Sequence, residues 1–472
     1  MSRARRNVLE RIKRKKSRAS ERGIALVMVV GAIAILTVML AEFQDETSAE
    51  LAAATAQRDS LQAEYTARSA VNLSRLLIAS EPTMRKSIAP LFMLMKRNPP
   101  QLPLWEFSDR LLGIFNDPDS SRGSAASLGI DVTQGKNLGL PNGAWELSIV
   151  DEDSKINMNL GAANDIAHIR LAKEVMGLLA PIQYDPLFAQ KDGSGQYNDR
   201  LQTCAALIDW ADVDENNFNC DTRSATASQS GIEDNYYSLM QPKGYRRKNA
   251  PYDSLEELHM VRGVSEDFWG TFIDPSPEDP KKRVVTVWGQ GAVNVNTANA
   301  QTLLAIVCAG AKIDAPLCND PLQQATFLTG VTMARGITMG APLFGSAKDF
   351  TNAMAGQGQI GPLLTAMGLQ PVQFQSVADF QKSITTESKM FSIYAVGIKK
   401  GYRRETRVKI HTVVDFRNAP ALGSTPTAVP GATAAGTTPT TAASTSTTTS
   451  PTGAQAANQL STGGQILYFK VD

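Results

Sequence analysis

The sequence predicts an α+β fold in which a long amino-terminal helix packs on an antiparallel sheet and a large all-α domain is inserted between the strands. Three observations predict this fold. No proline occurs before Pro82, residues 161–382 are mostly helical in pattern, and apolar and polar residues alternate on both sides of that block. The 472 residues, 43% of them hydrophobic, are enough to form several buried cores.

The amino-terminal helix is predicted over residues 24–80. Gly31 is the only glycine between Ile24 and Ser80. Residues 24–41 carry no charge and would span about 27 Å as a helix, which is enough to cross a bilayer. The later part mixes apolar and charged residues, as expected of a helix with one side on a folded domain. We therefore expect one helix that crosses a membrane and continues along a domain.

Charge is segregated along the chain. Residues 1–23 hold ten basic and two acidic side chains, a net charge of +8, so against the whole-chain charge of +1 the remainder carries −7. Basic residues before an apolar run keep residues 1–22 in the cytoplasm and send the rest of the chain across the membrane. The acidic remainder disfavours binding to a phosphate backbone, and no nucleic acid partner is expected. A secretory signal peptide, the alternative, usually has a shorter apolar region.

Residues 81–160 are predicted to begin the α/β domain. The chain is irregular to about residue 144 because prolines interrupt it. Residues 145–150 alternate as a half-buried strand, residues 151–155 are typical of a turn, and residues 156–160 form a second strand. These segments predict a hairpin.

Residues 161–382 are predicted to form the inserted helical domain. Helices are expected over 166–179 and 201–210, and a capping box from Ser254 to Glu257 begins a helix that Gly263 ends. Residues 284–288 and 293–295 return briefly to strand, and helices resume from 297. The two helices predicted around Gly263 form a helical hairpin.

The last part of the chain returns to strands. Residues 383–418 contain alternating segments at 391–396 and 407–414. Residues 419–464 are mostly Ala, Thr, Ser, Gly and Pro without a charge, which predicts a flexible low-complexity insertion. Residues 465–472 supply a terminal strand that this insertion allows to reach the edge of the sheet.

The junction between the basic leader and the apolar run resembles the same junction in a known protein family. The segment resembles the leader of type IV prepilins over the residues Glu21-Arg22-Gly23-Ile24-Ala25-Leu26-Val27. In that family a membrane-embedded aspartyl prepilin peptidase cuts after the glycine and methylates the new amino terminus. The resemblance implies cleavage after Gly23, methylation of Ile24, and residues 1–23 as a prepilin leader. Most pilins carry a glutamate five residues after the cut, where this chain has Met28, which suits a subunit at the filament tip or an ordinary membrane anchor.

The order of helix, strands, helical block and strands resembles the minor pseudopilin K family of type II secretion systems, also called general secretion pathway protein K. Six segments carry this resemblance in the same order: the leader at Gly23-Ile24, and residues 151–159, 207–212, 233–237, 254–258 and 293–298. The resemblance implies a type IV pilin-like fold interrupted by a helical domain. It also implies a subunit that caps the pseudopilus with minor pseudopilins I and J, anchored once in the inner membrane with its soluble domain in the periplasm.

Enzymatic chemistry has little support in the sequence. The chain has three histidines, His168, His259 and His411, and contains neither a G-x-S-x-G nor an H-E-x-x-H motif. These features disfavour a hydrolase triad or a histidine-based zinc site. We therefore expect a protein that is not an enzyme.

An acidic segment inside the helical domain is a candidate calcium site. Oxygen donors at this density suit calcium, and members of the resembled family bind calcium in this domain. A solvated acidic loop is the alternative, and an EF-hand is excluded because its sixth and twelfth positions would be Asn217 and Arg223. The candidate ligands are Asp209, Asp212, Asp214, Glu215, Glu233 and Asp234.

Four cysteines, Cys204, Cys220, Cys308 and Cys318, are expected to form disulfides on the periplasmic side of the membrane. Three pairings are possible, and the local one, Cys204–Cys220 and Cys308–Cys318, is the simplest. Four reduced, buried thiols are the alternative. A Cys204–Cys220 bond would clamp the acidic segment.

A second function class remains open. The predicted hairpin around Gly263 resembles the helix-hairpin-helix DNA-binding modules of competence proteins, which would make the chain a membrane-anchored DNA receptor. Those modules need two glycines flanking an apolar residue, whereas Ser265 follows Gly263-Val264 here. The acidic mature chain also argues against this alternative.

Overall fold

The computed structural model describes residues 3–94, 98–108, 112, 116, 143–191, 195, 197–221, 236–239, 244–338, 340–401, 404–422 and 461–472, with the backbone alone at 3–9, 12–22 and 239. Eleven α-helices are described in these ranges: α1 Arg3–Leu94, α2 Asp165–Leu179, α3 Asp185–Phe188, α4 Arg200–Asp209, α5 Glu266–Phe268, α6 Ala300–Gly310, α7 Pro316–Asn319, α8 Pro321–Thr338, α9 Ala347–Met354, α10 Gly361–Ala366 and α11 Val377–Ser383. The strands are β1 Gly143–Asp151, β2 Ile156–Asn157, β3 Val285–Thr286, β4 Val293–Asn294, β5 Ile384–Thr385, β6 Met390–Lys400, β7 Glu405–Asp415 and β8 Gln465–Val471.

Helix α1 is longer than the sequence predicts. It continues through Pro82 and Pro90 to Leu94, so the predicted end at Ser80 is wrong. Proline costs about 3 kcal/mol inside a helix because it removes one hydrogen bond and crowds the preceding turn. Contacts with the domain compensate: the Glu81 carboxylate accepts a hydrogen bond from the Leu102 amide at 3.0 Å, and Arg85 pairs with Glu387.

The carboxyl-terminal half of α1 packs on a four-stranded antiparallel sheet of order β1-β6-β7-β8. Ala67, Ala70 and Val71 of the helix share one hydrophobic core with Ile149 and Phe391 of the sheet. The small alanine side chains bring the helix close to the strands. A methyl group at Gly397 of β6 would overlap the carbonyl oxygen of Ala63, so glycine is required there. The predicted long helix on an antiparallel sheet is confirmed.

The chain between β1 and β6 forms the inserted helical block around a second hydrophobic core. Polar side chains begin its helices: Asn164 caps α2, Asp199 caps α4 and Asn299 caps α6, each by accepting a backbone N–H. Helices α2 and α6 touch closely, because a methyl group at Gly177 would overlap the Ala305 carbonyl oxygen. The predicted helices over 166–179 and 201–210 are present as α2 and α4, and the α+β fold class is confirmed.

The hairpin predicted for residues 145–160 is wrong. β1 pairs with β6, from Gly143 opposite Lys399 to Asp151 opposite Phe391. The two-residue strand β2 pairs in parallel with β3 instead, and residues Met158–Ala162 form a 3₁₀ helix. The partners of both strands lie more than 100 residues further along the chain, so nothing local signals the pairing.

The capping box at Ser254 also fails to begin an α-helix. Residues Leu255–Met260 form a 3₁₀ helix, and the Ser254 side chain caps no backbone N–H. A turn at Gly263 then leads to the three-residue helix α5 and a π-helical turn, Trp269–Ile273. The predicted helical hairpin is therefore absent from this described stretch.

The terminal strand lies where the sequence predicts it. β8 pairs antiparallel with β7, with Gln465 opposite Asp415 and Val471 opposite Ile410. Arg75 of α1 donates to the carbonyl oxygens of Gly463 and Gly464 and ties the start of β8 to the helix. Most of the predicted low-complexity insertion, residues 423–460, lies outside the described residues.

Candidate functional site

The predicted processing site lies inside an unbroken helix. Gly23 and Ile24 belong to α1, and a methyl group at Gly23 would have no atom within 4 Å. The helix is long and apolar enough to cross a membrane, and none of its apolar window is buried by the rest of the protein. Residues 24–41 are therefore free to enter a bilayer or to contact other helices. Cleavage after Gly23 and methylation of Ile24 stay predictions.

The predicted calcium ligands lie at the end of α4 and in the turn that follows. Asp209 and Asp212 are both about 4% exposed, whereas Glu215 is exposed. The Asp209 carboxylate accepts a hydrogen bond from the Phe218 amide at 2.9 Å, which folds the turn back onto the helix. Asp214 accepts from the Asn216 amide at 2.7 Å. Glu233 and Asp234 lie outside the described residues.

Burial and neighbouring charges raise the pKa values of two of these acids. Burial raises the pKa of Asp209 to about 8, and the nearby Asp212 adds to the rise while the Phe218 amide opposes it. Burial and then the charge of Asp214 raise the pKa of Asp212 to about 7. Arg247 faces both carboxylates, and burial lowers its pKa. A cation among these acids would favour their ionised forms.

Two side-chain oxygens beside this turn lack a hydrogen-bond partner in the described part of the protein. Oδ1 of Asp212 and Oδ1 of Asn249 are buried and make no hydrogen bond in the described part of the protein. The Asn249 amide nitrogen donates to the Asp214 carbonyl oxygen at 3.3 Å, which places the amide beside the acidic turn. Within the described ranges, however, no group of three or more His, Cys, Asp or Glu side chains is arranged to hold a metal. Calcium therefore stays a proposal.

Both local disulfides are present. Cys204 of α4 bonds to Cys220, and Cys308 of α6 bonds to Cys318. The first bond closes the loop that contains Asp209, Asp212 and Asp214, so the predicted clamp on the acidic segment exists. It fixes the turn on the helix whose end carries Asp209.

The charged segment at the end of β1, predicted as a turn, is a buried junction between the sheet and the helical block. Asp153, 1% exposed, accepts three backbone N–H groups: Gln290 at 2.7 Å on one oxygen, and Lys389 at 2.7 Å and Met390 at 3.1 Å on the other. Asp151 accepts hydroxyl hydrogen bonds from Thr297 and Ser388, each at 2.5 Å. These two aspartates join segments that lie more than 130 residues away.

Lys155 and Glu152 complete this junction. The Lys155 ammonium is 2% exposed and lies 3.1 Å from the Glu152 carboxylate, which also accepts from the Thr286 hydroxyl at 2.6 Å. Burial favours neutral Glu152, but Lys155 and Thr286 bring its pKa below the usual range. Burial raises the pKa of Asp151 and of Asp153. The ion pair and the hydrogen bonds make this a buried polar joint.

Asparagines extend the same joint. The Asn159 side chain donates to the Tyr252 carbonyl at 3.0 Å and to the Val287 carbonyl, and accepts from the Tyr252 amide at 2.7 Å. Asn294 donates to the Ser388 hydroxyl, and Asn296 accepts from the Leu343 and Phe344 amides. Two of the segments that carry the family resemblance, 151–159 and 293–298, therefore hold the helical block to the sheet. Sequence reasoning singled them out without assigning them this role.

The region around Gly263 does not favour the DNA-receptor alternative. Gly263 has a positive φ of 84° and packs against the Thr203 side chain of α4. A helix-hairpin-helix module needs two helices whose connecting backbone amides face outward to phosphate. Here a 3₁₀ helix and a three-residue α-helix flank the turn.

Comparisons with known proteins find likeness among solved structures. No protein-family model matches the sequence, and no curated protein matches it. Among solved structures, the chain is similar to one in the crystal structure of the GspK-GspI-GspJ complex from the enterotoxigenic Escherichia coli type 2 secretion system. The TM-score is 0.40 and the sequence identity 14%, over 77% of this chain and 93% of that chain.

Proposed function

We propose that this chain is a minor pseudopilin of a type II secretion system that caps the tip of the periplasmic pseudopilus and helps to initiate its assembly. One observation carries the proposal: a single helix, α1, has a bare apolar half followed by a half packed on an antiparallel sheet. This architecture lets a subunit rest in a membrane and then move into a filament without refolding. The role is structural and non-enzymatic.

The charge pattern supports the location. Basic residues 1–22 stay in the cytoplasm, residues 24–41 cross the inner membrane once, and the domain with its two disulfides lies in the periplasm. Prepilin peptidase then cuts after Gly23 and methylates Ile24. The bare apolar helix bundles with the corresponding helices of minor pseudopilins I and J.

The position at the tip is supported by the helical block and its joint. The block is inserted between β1 and β6 and is held to the sheet by hydrogen bonds from Thr297 to the buried Asp151 and from the Gln290 amide to the buried Asp153. A block fixed in this way would obstruct a further subunit above it. Met28 is consistent with this position. Most pilins have a glutamate here to pair with the amino terminus of a neighbouring subunit, and a subunit at the tip has no neighbour above it.

A structural calcium ion belongs to the same proposal. Asp212 and the Asn249 amide oxygen would help to hold it, because one oxygen of each is buried without a hydrogen bond. Asp209 and Asp214 are further candidate ligands. The ion would supply positive charge that keeps the turn folded. Glu215, Glu233 and Asp234 remain candidate ligands.

Processing of the leader tests the proposed function. Gly23→Ala should block cleavage by prepilin peptidase, leaving the full mass, whereas the unchanged chain should acquire a methylated terminus at Ile24 only when the peptidase is present. Gly31→Ala is the matched control, because neither glycine has an atom within 4 Å of an added methyl group. Intact mass and amino-terminal sequencing read the result.

Two results would contradict the proposal. Normal processing of the Gly23→Ala chain would remove the pilin-class assignment. An intact leader in the unchanged chain with active peptidase would instead indicate a permanent single-pass anchor. If processing occurs as expected, copurification of the mature chain with minor pseudopilins I and J tests the position in the filament.

A further inference from the structure

The helical block contains an apolar cavity of about 400 Å³, a volume within the range of small-molecule pockets. It lies between α6, α8, α9 and α10, and Glu106 and Lys281 stand at one side of it. Among the described residues that line it there is none of Asp209, Asp212 and Asp214, so the cavity is separate from the acidic turn. Its wall is mainly hydrophobic and includes Leu303, Phe327, Val331, Phe344, Leu364 and Met367. This space suits a small ligand with an apolar body.

A cation in the cavity wall has no carboxylate partner among the described residues. Arg335, near the end of α8, donates from Nη2 to the backbone carbonyl oxygens of Asn296, at 3.5 Å, and of Ala298. Its Nε and Nη1 donate no hydrogen bond in the described part of the chain. Arg335 is half-buried, and burial lowers its pKa while the charge of Glu106 opposes this effect. Because a guanidinium stays charged in proteins, donors remain available here for an anionic group.

The other polar side chains of the wall already have partners within the chain. Each makes a hydrogen bond or an ion pair, and they are Glu106, Lys281, Asn296, Thr297, Asn299 and Thr326. A peptide or a sugar brings many hydrogen-bonding groups, which would be left without partners against this wall. A ligand with one anionic group and an otherwise apolar body leaves no polar group unpaired.

We propose that this cavity binds a fatty acid, with the carboxylate on the Arg335 guanidinium and the hydrocarbon chain between α6, α8 and α10. Hydrogen bonds from a guanidinium to a carboxylate are strong because both groups are charged. The hydrocarbon chain gains free energy on leaving water, in proportion to the apolar area that the wall covers. The inference goes beyond the proposed function and does not rest on it.

Photocrosslinking of the full chain in phosphatidylcholine vesicles tests this proposal. The probe is dodecanoic acid with a diazirine near its methyl end, and mass spectrometry identifies the residues that it labels. Labelling of Val331, Leu364 or Met367 reports the cavity, whereas probe dissolved in the bilayer labels residues 24–41. The methyl ester of the same probe lacks the charge, and a phosphatidylcholine with the same diazirine chain represents the membrane lipid.

Two variants change the cavity in different ways. Arg335→Gln removes the cation, and the exposed Lys348→Gln is its control. Gly330→Leu places a side chain in the cavity, because Gly330 lines it and a methyl group there would meet only Met367, at 3.3 Å. Gly336→Leu, on the same helix, is its control, since no atom lies within 4 Å of a methyl group at that position. Thermal unfolding shows whether each variant folds.

We expect the acid to label the cavity and its methyl ester to leave it unlabelled. Arg335→Gln should raise the probe concentration for half-maximal labelling about tenfold, as the loss of one hydrogen bond to a charged group would give. Gly330→Leu should abolish labelling of the cavity, and both control variants should behave like the unchanged chain.

Equal labelling by acid and ester, or of the Arg335→Gln and Lys348→Gln chains, would overturn the proposal. Labelling confined to residues 24–41, or cavity labelling by the phosphatidylcholine probe alone, would overturn it as well. If Arg335→Gln does not fold, the comparisons of acid with ester and of Gly330→Leu with Gly336→Leu decide. None of these readouts depends on leader processing or on pseudopilins I and J.

Discussion

Buried charges after β1 show how single residues connect distant parts of this chain. Asp153 has both carboxylate oxygens occupied, one by Gln290 and the other by Lys389 and Met390, all through backbone amides. Buried amides without an acceptor cost free energy comparable to a lost hydrogen bond. One aspartate thus fixes both the loop before β4 and the start of β6.

Asp153→Asn should therefore destabilise the joint. The asparagine side chain has only one oxygen acceptor. Its NH₂ group takes the place of the other oxygen and therefore faces at least one backbone N–H, which loses its acceptor. We expect a loss of about 1.5–3 kcal/mol, the range for hydrogen bonds to charged groups, measured by urea unfolding. Asp379→Asn, at an exposed aspartate on α11, is the control. Equal unfolding midpoints for the two variants would show that the amide contacts contribute little.

Elements with a local signal could be predicted, and elements with distant partners could not. α2, α4, β6 and β7 lie where their periodicity places them, because each packs on a core close to it. β8 also lies at its predicted position, although most of its side chains stay exposed at the edge of the sheet. The two local disulfides follow from short spacing in the chain. In contrast, β2 owes its conformation to β3, and α1 continues past Pro82 because Glu81 and Arg85 bind distant residues.

In the candidate site, too, residues that are close in sequence could be predicted and residues from distant segments could not. Asp209, Asp212 and Asp214 are close in sequence and lie near enough at the end of α4 to influence one another's charge. Asn249, which supplies a further unpartnered oxygen, comes from a segment more than 30 residues away and carries no local signal. The role of residues 151–155 was likewise missed because their backbone partners are spread over two other segments.

The contact between α1 and β6 depends on a glycine, Gly397, which has no side chain to hold the helix away. Gly397 lies opposite Trp145 on β1 and Val408 on β7, and α1 crosses the sheet directly above it. Gly397→Ala should push the helix away and destabilise this contact by about 1–3 kcal/mol, as overpacking does. Hydrogen exchange of residues 63–79 should become faster. Gly270→Ala, with no atom within 4 Å of the added methyl, should leave that exchange unchanged. Unchanged exchange in both variants would show that the helix adjusts without loss.

At the scale of the whole molecule, two hydrophobic cores are joined by a polar seam. One core unites α1 with the sheet, and the other fills the helical block. The seam at Asp151, Asp153 and Lys155 is buried, so the two units are expected to move as one body. The acidic turn lies in the block, clamped by Cys204–Cys220. A cation bound there would stabilise the block without touching the anchor helix.

Calcium should therefore raise the unfolding temperature of the helical block, and a chelator should reverse the effect. A ligand present at 100 times its Kd contributes about 2.7 kcal/mol to the folded state. Asp212→Asn should abolish this response while leaving the calcium-free protein at least as stable, because burial already favours the neutral form of this side chain. The exposed Asp314→Asn is the control and should respond like the unchanged chain. Calorimetric titration with calcium measures binding separately from stability. If Asp212→Asn binds calcium as tightly as the control, the acidic turn is a solvated loop rather than a metal site.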